Sequence, residues 1–578
     1  MERCDEALLI CGIKATHDGG VAVIDGNRLL FSIEVEKLGN GHRYSHLGDL
    51  ARVAEILAAE GLDIRDIDQF VMDGWWQDGE ADHALVRTRR HGRPVTLPVA
   101  PYQDRPGTWD PLRRYTFTDH DFTSGSPGYA SYHHVSNHLF GSYCTSPFAA
   151  HGQDALALMW DGAMVPRLYH VDATGRKATL VTELLPFTGN SFADFSAQFD
   201  PFRPAAEAQT EEESTRHHLS VAGKAMAYAA LGRVEKSAYP VFDEIIAAFP
   251  TTSPDNAELF GKKAAANRDE LLPGLSDADL IATFQAYLGD LLLHRLSTVL
   301  RREPASRGCS AGTVRSASCV RPNLVIGGGC ALNIKWNSML RASGLFDDIW
   351  IAPFPNDSGA AVGTAVCEMI RMSGRAALEW GVYSGPRITV GKLPQGWQEH
   401  PCDEGQLAQL LHSEGEPVVV LSGRAELGPR ALGNRSILAP ATDPAMKDRL
   451  NRLKGRAGYR PVAPVCLTPH APKVFTPGTR DPYMLFEHRL RPGWADSLPA
   501  VIHLDGTARL QTIDPSQDTA TARILSAYEK LSGIPVLCNT SANHNGRGFF
   551  PDVASAAEWG GTRYIWSGGK LYTRTTEP

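Results

Sequence analysis

The feature that most restricts how this chain can fold is an order of elements that occurs twice. An apolar run at residues 8–11 is followed by His17-Asp18-Gly19-Gly20. A second apolar segment at 21–24 is then turned by Asp25-Gly26 into a third at 29–33. Asp-Gly between apolar runs is a two-residue hairpin signal. The order returns at 155–160, Asp161-Gly162, 167–171, Thr174-Gly175 and 178–184. Each copy places an Asp-Gly in the loop after its first strand, which predicts an internal duplication within an α/β protein.

Two such units are what an actin-like or sugar-kinase-like nucleotide-binding fold would supply, and two unrelated hairpins fit the pattern equally well. Helical spacing predicts helices at 49–60 and 278–302, the latter burying Leu280, Phe284, Leu288, Leu291, Leu292 and Leu296. The stretch 87–128, rich in Pro, Arg and Gly, has weak periodicity and reads as a surface loop or an acceptor-selecting insert. Strand-to-loop-to-helix junctions are predicted where 323–326 runs into Gly327-Gly328-Gly329-Cys330-Ala331-Leu332-Asn333, and where 349–351 runs into Pro355-Asn356-Asp357-Ser358-Gly359. Gly and Pro between 374 and 395 mark a linker, with 381–395 as its centre. Beyond it a second α/β unit is expected, with helices near 404–412 and 520–531 and apolar strands at 417–421 and 534–538.

Composition excludes several classes. Of 578 residues, 43% are hydrophobic and 21% charged, leaving little room for long disorder. The net charge of -8 opposes a general nucleic-acid footprint, so phosphate binding must be local. Ten cysteines without a CxxC pair argue against a disulfide scaffold or a zinc ribbon. No run of 18 apolar residues appears, and the expectation is a soluble cytoplasmic protein with no membrane partner.

Four constellations could carry chemistry. His134 and His138, four residues apart, share a face if their segment is helical, and two imidazoles so placed can share a metal. Asp161 and Asp357 each follow an apolar strand and could complete the set. Imidazole with carboxylate suits iron, manganese or zinc better than magnesium. The triple glycine before Asn333 allows a nucleotide close to the backbone at Gly328 and Gly329, although glycine-rich turns are common. In Gly423-Arg424-Ala425-Glu426-Leu427-Gly428-Pro429-Arg430-Ala431-Leu432-Gly433-Asn434-Arg435-Ser436, three guanidinium groups sit in a Gly-Pro frame suited to bidentate phosphate contacts, and Lys454, Arg460 and Arg509 could join them. Asn539-Thr540-Ser541-Ala542-Asn543 follows an apolar strand and offers hydrogen bonds to a small ligand, or a capped turn.

Taken together, these motifs resemble the nodulation and antibiotic O-carbamoyltransferases of the NodU/CmcH group over nearly the whole chain. The resemblance implies a duplicated actin-like (ASKHA, ribonuclease H-like) domain at 1–380 and a YrdC-like α/β domain at 396–578. It implies that carbamoyl phosphate and ATP, with magnesium, give carbamoyladenylate in the second domain, and that the first transfers the carbamoyl group to an alcohol. By position, Arg430, Arg435, Lys454 and Arg509 would bind carbamoyl phosphate or ATP, with Arg424, Asn539 and Asn543 as weaker assignments. Gly328, Gly329 and Asn333 would hold the adenylate. His134, His138, Asp161 and Asp357 would hold a divalent metal, iron(II) in family terms. His17 beside Asp18 would deprotonate the acceptor or only orient it.

Two departures from the family pattern stand out. Val135 takes the place of the middle histidine of the usual His-His-Leu-Ala-His run, with His133 as a further candidate ligand. Gly546-Arg547-Gly548 stands where Gly-Glu-Pro is usual. The implied acceptor is a hydroxyl of a secondary metabolite, such as a glycosylated macrolide or other polyketide, and a homodimer is compatible. Competing readings are a tRNA threonylcarbamoyl-transfer enzyme, which the acidic charge disfavours, and a non-catalytic nucleotide-binding regulator.

Overall fold

A computed structural model describes residues 8–77, 81–104, 109–123, 126–204, 210–249, 256–302 and 321–575. It is a mixed α/β protein that divides into two compact units, one running to Gly141 and resuming at Asp357, the other Ser142–Asn356. The segment 381–395 falls inside the first unit.

The duplicated order becomes two sheets with one pairing scheme. In the first unit, Leu9–Lys14 pairs antiparallel with Gly20–Asp25, which pairs antiparallel with Arg28–Glu34. On its other edge Leu9–Lys14 runs parallel to Gln69–Asp73, which runs parallel to Ser126–Tyr132. In the second unit, Ala155–Met159, Arg167–Val171 and Ala178–Glu183 repeat the antiparallel trio, and Leu324–Gly327 and Ile349–Ile351 repeat the parallel pair. The parallel strands Ala155–Met159 and Leu324–Gly327 are short and apolar, as burial on both faces requires.

Two helices fix the site-bearing end of the first sheet. Ala360–Ser373 is buried along its first eleven residues and packs on Leu9–Lys14 and Gly20–Asp25. That approach needs Gly12, where a Cβ would lie 2.0 Å from Ala361 O. The same helix meets His134–Cys144 through Gly363, where a Cβ would lie 2.2 Å from Asn137 O.

In the second unit, helix Asp277–Arg302 matches its periodicity, with Leu280, Phe284, Leu288, Leu292 and Leu296 buried and Leu291 only partly so. Phe284 stacks on Phe195 and Phe260.

The stretch 87–128 is not a plain loop. Ala84–Arg90 and Arg93–Val99 form a hairpin, and Tyr115–Thr123 adds a strand beside Ser126–Tyr132; positions 105–108 and 124–125 lie outside the described residues. β-Branched residues separated by polar ones gave this stretch a weak signal. The segment expected as a free linker is likewise docked: Gly385 N–H and Ile388 N–H donate to Ala425 O and Gly423 O, and Ile388 and Leu393 pack on the apolar core beyond.

That core belongs to an eight-stranded mixed sheet from Trp397–Pro401 to Lys570–Arg574. Its central strand Val418–Leu421 alternates, Val419 and Leu421 facing one apolar cluster while Val418 and Val420 face another. Helices Glu404–Glu414 and Ala520–Ser532 cover the second face. Among the described residues no helix is long and apolar enough to cross a membrane.

Candidate cation centre and anion pocket

The helix His134–Cys144 realises the four-residue spacing as a shared face. His134 Nε2 and His138 Nε2 lie 3.0 Å apart, and Asp357 Oδ1 is 3.3 Å and 3.4 Å from them. Asp357 opens the turn leading into helix Ala360–Ser373. All three are buried. Asp73 accepts from His134 Nδ1 at 2.9 Å and so turns the Nε2 lone pair inward, the usual carboxylate support of a ligating histidine. Two inward imidazole nitrogens with a carboxylate oxygen are a donor set that fits a divalent cation of the iron, manganese or zinc type.

Lys14 and Asp73 escaped the sequence reading. Lys14, 1% exposed, reaches Asp73 Oδ2 at 2.7 Å and Asp357 Oδ2 at 2.8 Å, beneath the Trp75 ring. Burial would raise the Asp357 carboxyl, but Lys14, His134 and His17 pull it well below the usual range. Asp73, against the same penalty of burial, is held down at about 2 by His134 and Lys14. Asp73-Gly74 ends an apolar strand in the way Asp161-Gly162 does, so the signal that picked Asp161 also marks Asp73.

His17 Nδ1 lies 3.0 Å from Asp18 Oδ2, and its Nε2 lies 3.6 Å from Asp357 Oδ2. Asp18 holds a left-handed backbone, φ 53°. His133 is not a member of the group: its Nδ1 faces Pro101 O at 3.0 Å and its Nε2 faces the Tyr115 hydroxyl at 3.4 Å.

In the second unit, Asp161 follows its strand as predicted and accepts from Gly329 N–H at 2.6 Å. The glycine run is used by the fold: Gly328 has φ 86°, and a Cβ there would lie 2.4 Å from Trp160 O. Asn333 caps helix Ile334–Ala342, its Oδ1 accepting from Lys335 and Trp336 N–H and from Gln285. That Oδ1 is therefore committed to the helix end.

The arginine motif divides by neighbours. Arg430 is pushed well below its ordinary value by burial and then by the charges of Arg509, Arg43 and Arg460. Burial, then Arg460 and Arg456, push Arg509 down to about 9. Lys454 is depressed by burial, Arg456, Arg43 and Arg460. A guanidinium does not give up its proton in a protein, so such crowding would favour an anion beside these groups. Asn543 Oδ1 and Ser541 O hold the Lys454 ammonium, which makes Asn543 its positioner. Asn539 Nδ2 donates to Ala431 O and Gln511 Oε1.

Arg435 and Arg424 have protein partners of their own. Arg435 spends its guanidinium on three carbonyls, those of Ser422, Asn434 and Pro386, which makes it a brace for the loop. Arg424 pairs with Glu60 at 2.8 Å. Spacing in a loop could not reveal which arginines turn into the structure.

The first unit thus defines a mixed α/β protein with a site fit for a divalent cation and a pocket fit for an anion. Comparison with known proteins agrees with the motifs. The model described as Carbamoyltransferase N-terminus matches residues 9–105 and 122–366, and Carbamoyltransferase C-terminus matches 408–563. Nodulation protein U of Sinorhizobium fredii is 44% identical over 98% of this chain and 99% of its own. The 3'-hydroxymethylcephem-O-carbamoyltransferase of Streptomyces clavuligerus is 32% identical over 98% and 99%. A solved ROK family glucokinase from Streptomyces griseus, 14% identical, covers 62% of this chain and 98% of its own at a TM-score of 0.26, too low to carry an argument. The chain belongs to the carbamoyltransferase family.

Proposed function

We propose that the chain is an ATP-dependent O-carbamoyltransferase working in two steps. In the first, water cleaves carbamoyl phosphate to carbamate and phosphate. A carbamate oxygen then attacks the α-phosphorus of ATP, forming carbamoyladenylate and expelling pyrophosphate, with magnesium accompanying ATP. The observation that carries this is the buried cation group Arg430, Lys454 and Arg509, suited to the phosphate charge of both reagents and of the expelled pyrophosphate. In this reading the sheet bearing it is the YrdC-like part and the two repeated sheets are the actin-like part.

In the second step the alcohol oxygen attacks the carbamoyl carbon, the bond from that carbon to the AMP oxygen breaks, and AMP leaves. His17, with Nδ1 directed to Asp18, presents Nε2 to take the hydroxyl proton. A divalent cation, iron(II) in family terms, would grip the adenylate phosphate and make AMP a better leaving group. His134, His138 and Asp357 would hold it, with Asp161 as the fourth ligand that the resemblance implies. Lys14 and Asp73 fix Asp357 and His134 for that task. The acceptor is the hydroxyl of a secondary metabolite, and the reading favours a glycosidic or polyketide alcohol.

The test supplies purified protein with ATP, magnesium and iron(II), with and without carbamoyl phosphate, and follows pyrophosphate. A panel of alcohols, including a hydroxymethyl cephem, an aminoglycoside and a glycosylated macrolide, is then screened by product mass. Pyrophosphate dependent on carbamoyl phosphate and one carbamoylated alcohol are expected. Pyrophosphate release indifferent to carbamoyl phosphate would end the reading.

A further inference from the structure

One segment of the amino-terminal sheet is tied to the anion pocket at several points. After strand Arg28–Glu34 the chain makes a single turn, Val35–Lys37, and then runs to Leu47. Lys37 Nζ donates to Gly428 O at 2.8 Å and also to Glu426 O, and Gly428 N–H returns a bond to Glu34 Oε1 at 2.8 Å. Those partners lie in the loop that carries Arg430. Further along, Gly548 N–H donates to Gly41 O at 2.8 Å, and His42 forms an antiparallel bridge with Arg547. A Cβ at Gly548 would lie 2.1 Å from Glu36 O, and a proline there would have no N–H to give. The loop 543–548, which includes the Asn543 that holds Lys454, is therefore shaped to receive this segment.

Arg43 stands between these attachments. Its Nε is 3.6 Å from Glu36 Oε2, and Tyr44 N–H donates to the same oxygen at 3.3 Å. Tyr44 has φ 60°, a left-handed backbone that is strained for a bulky residue and persists where surrounding contacts enforce it. The guanidinium of Arg43 lies 5.1 Å from the Tyr44 ring centre. Its charge acts on Arg430, Lys454 and Arg460 alike. A cation set against three others needs a carboxylate behind it, and Glu36, 6% exposed, is that carboxylate.

We propose that Arg43 is a phosphate-binding residue of the carboxy-terminal anion pocket, contributed by the amino-terminal sheet, with Glu36 as its positioning residue. The inference deepens the adenylation reading and rests on it for the phosphate ligand. The pocket is then incomplete in the carboxy-terminal sheet alone.

The test titrates inorganic pyrophosphate into the full-length protein and its Arg43→Ala and Arg43→Lys variants by calorimetry, with the melting midpoint of each recorded. Arg43→Ala is expected to weaken binding by about tenfold or more, the effect of one charge-assisted contact, at an unchanged melting midpoint, and Arg43→Lys to recover part of it. Unchanged affinity in Arg43→Ala overturns the proposal. So does an equal loss in both variants accompanied by a fall in melting midpoint, which would make Arg43 a structural brace. Binding needs no turnover. Protein that binds pyrophosphate through Arg43 yet never forms carbamoyladenylate would sink the adenylation chemistry and leave this assignment standing.

Discussion

The two candidate sites of the first unit solve opposite electrostatic problems. At the cation centre, Lys14 is matched by Asp73 and Asp357, His134 by Asp73, and His17 by Asp18. Each of these charges has its counterpart, and two imidazole nitrogens and a carboxylate oxygen converge beside them. In the anion pocket the charges acting on Lys454 after burial are all positive, and its acceptors are neutral carbonyl and hydroxyl oxygens. The first site is balanced and directs donors at a cation. In the second, buried guanidinium groups crowd one another, an arrangement that an anion would suit. In the proposed reading, this difference would let a chain of net charge -8 take up phosphates at a buried cation group.

The comparison breaks most visibly if each site is emptied separately. Replacing His134 and His138 together with alanine is expected to remove the bound metal and slow transfer to the alcohol by about a thousandfold or more, as loss of a stabilising charge does. Pyrophosphate release should persist. Metal content and product mass check the first part; loss of both half-reactions would show that the sites do not work independently. Arg430→Met should do the reverse, lowering pyrophosphate release about a hundredfold while metal content is unchanged.

Stability sharpens the contrast. Because burial and the charges of Arg509, Arg43 and Arg460 oppose the Arg430 cation, Arg430→Met is expected to leave the melting midpoint within about a few degrees of the native value. Pyrophosphate should raise the midpoint of the native protein and not of this variant. Asp73→Asn tests the balanced site. It keeps the shape of the carboxylate but weakens its hold on His134, and metal affinity should fall by about 10- to 100-fold in a chelator competition. The smallest effect is assigned to Arg424→Ala, which loses one partly buried ion pair with Glu60. It should cost about 1 kcal/mol in denaturant unfolding with pyrophosphate release intact. A collapse of adenylation in that variant would return Arg424 to the pocket.

Much of the cation centre was legible in advance. Two histidines four apart on a helix and an aspartate after an apolar strand are local signals, and helix and strand geometry convert them directly into position. The long helix and both hairpin trios were equally local. Lys14 looked like the end of an apolar strand, and only its pairing beside Gln69–Asp73 reveals that it faces Asp73. The basic loop misled where it mattered: Arg430 and Arg435 are five residues apart and look alike, yet one joins the cation group and the other is spent on three carbonyls. The unusual Gly546-Arg547-Gly548 had no interpretation until Gly41 and Glu36 were found against Gly548.

The sequence by itself determined the alternation of strands and helices, the repeated trio and the placement of aspartates at strand ends, because each depends on neighbours within a few residues. Only the tertiary structure decided which cations are buried beside one another, which carboxylate stands behind His134, and that the charge of Arg43 acts on Arg430 nearly four hundred positions later. Those outcomes depend on burial and on long-range approach, and a charge in a folded protein is defined by what lies within a few ångströms of it, wherever that partner sits in the chain.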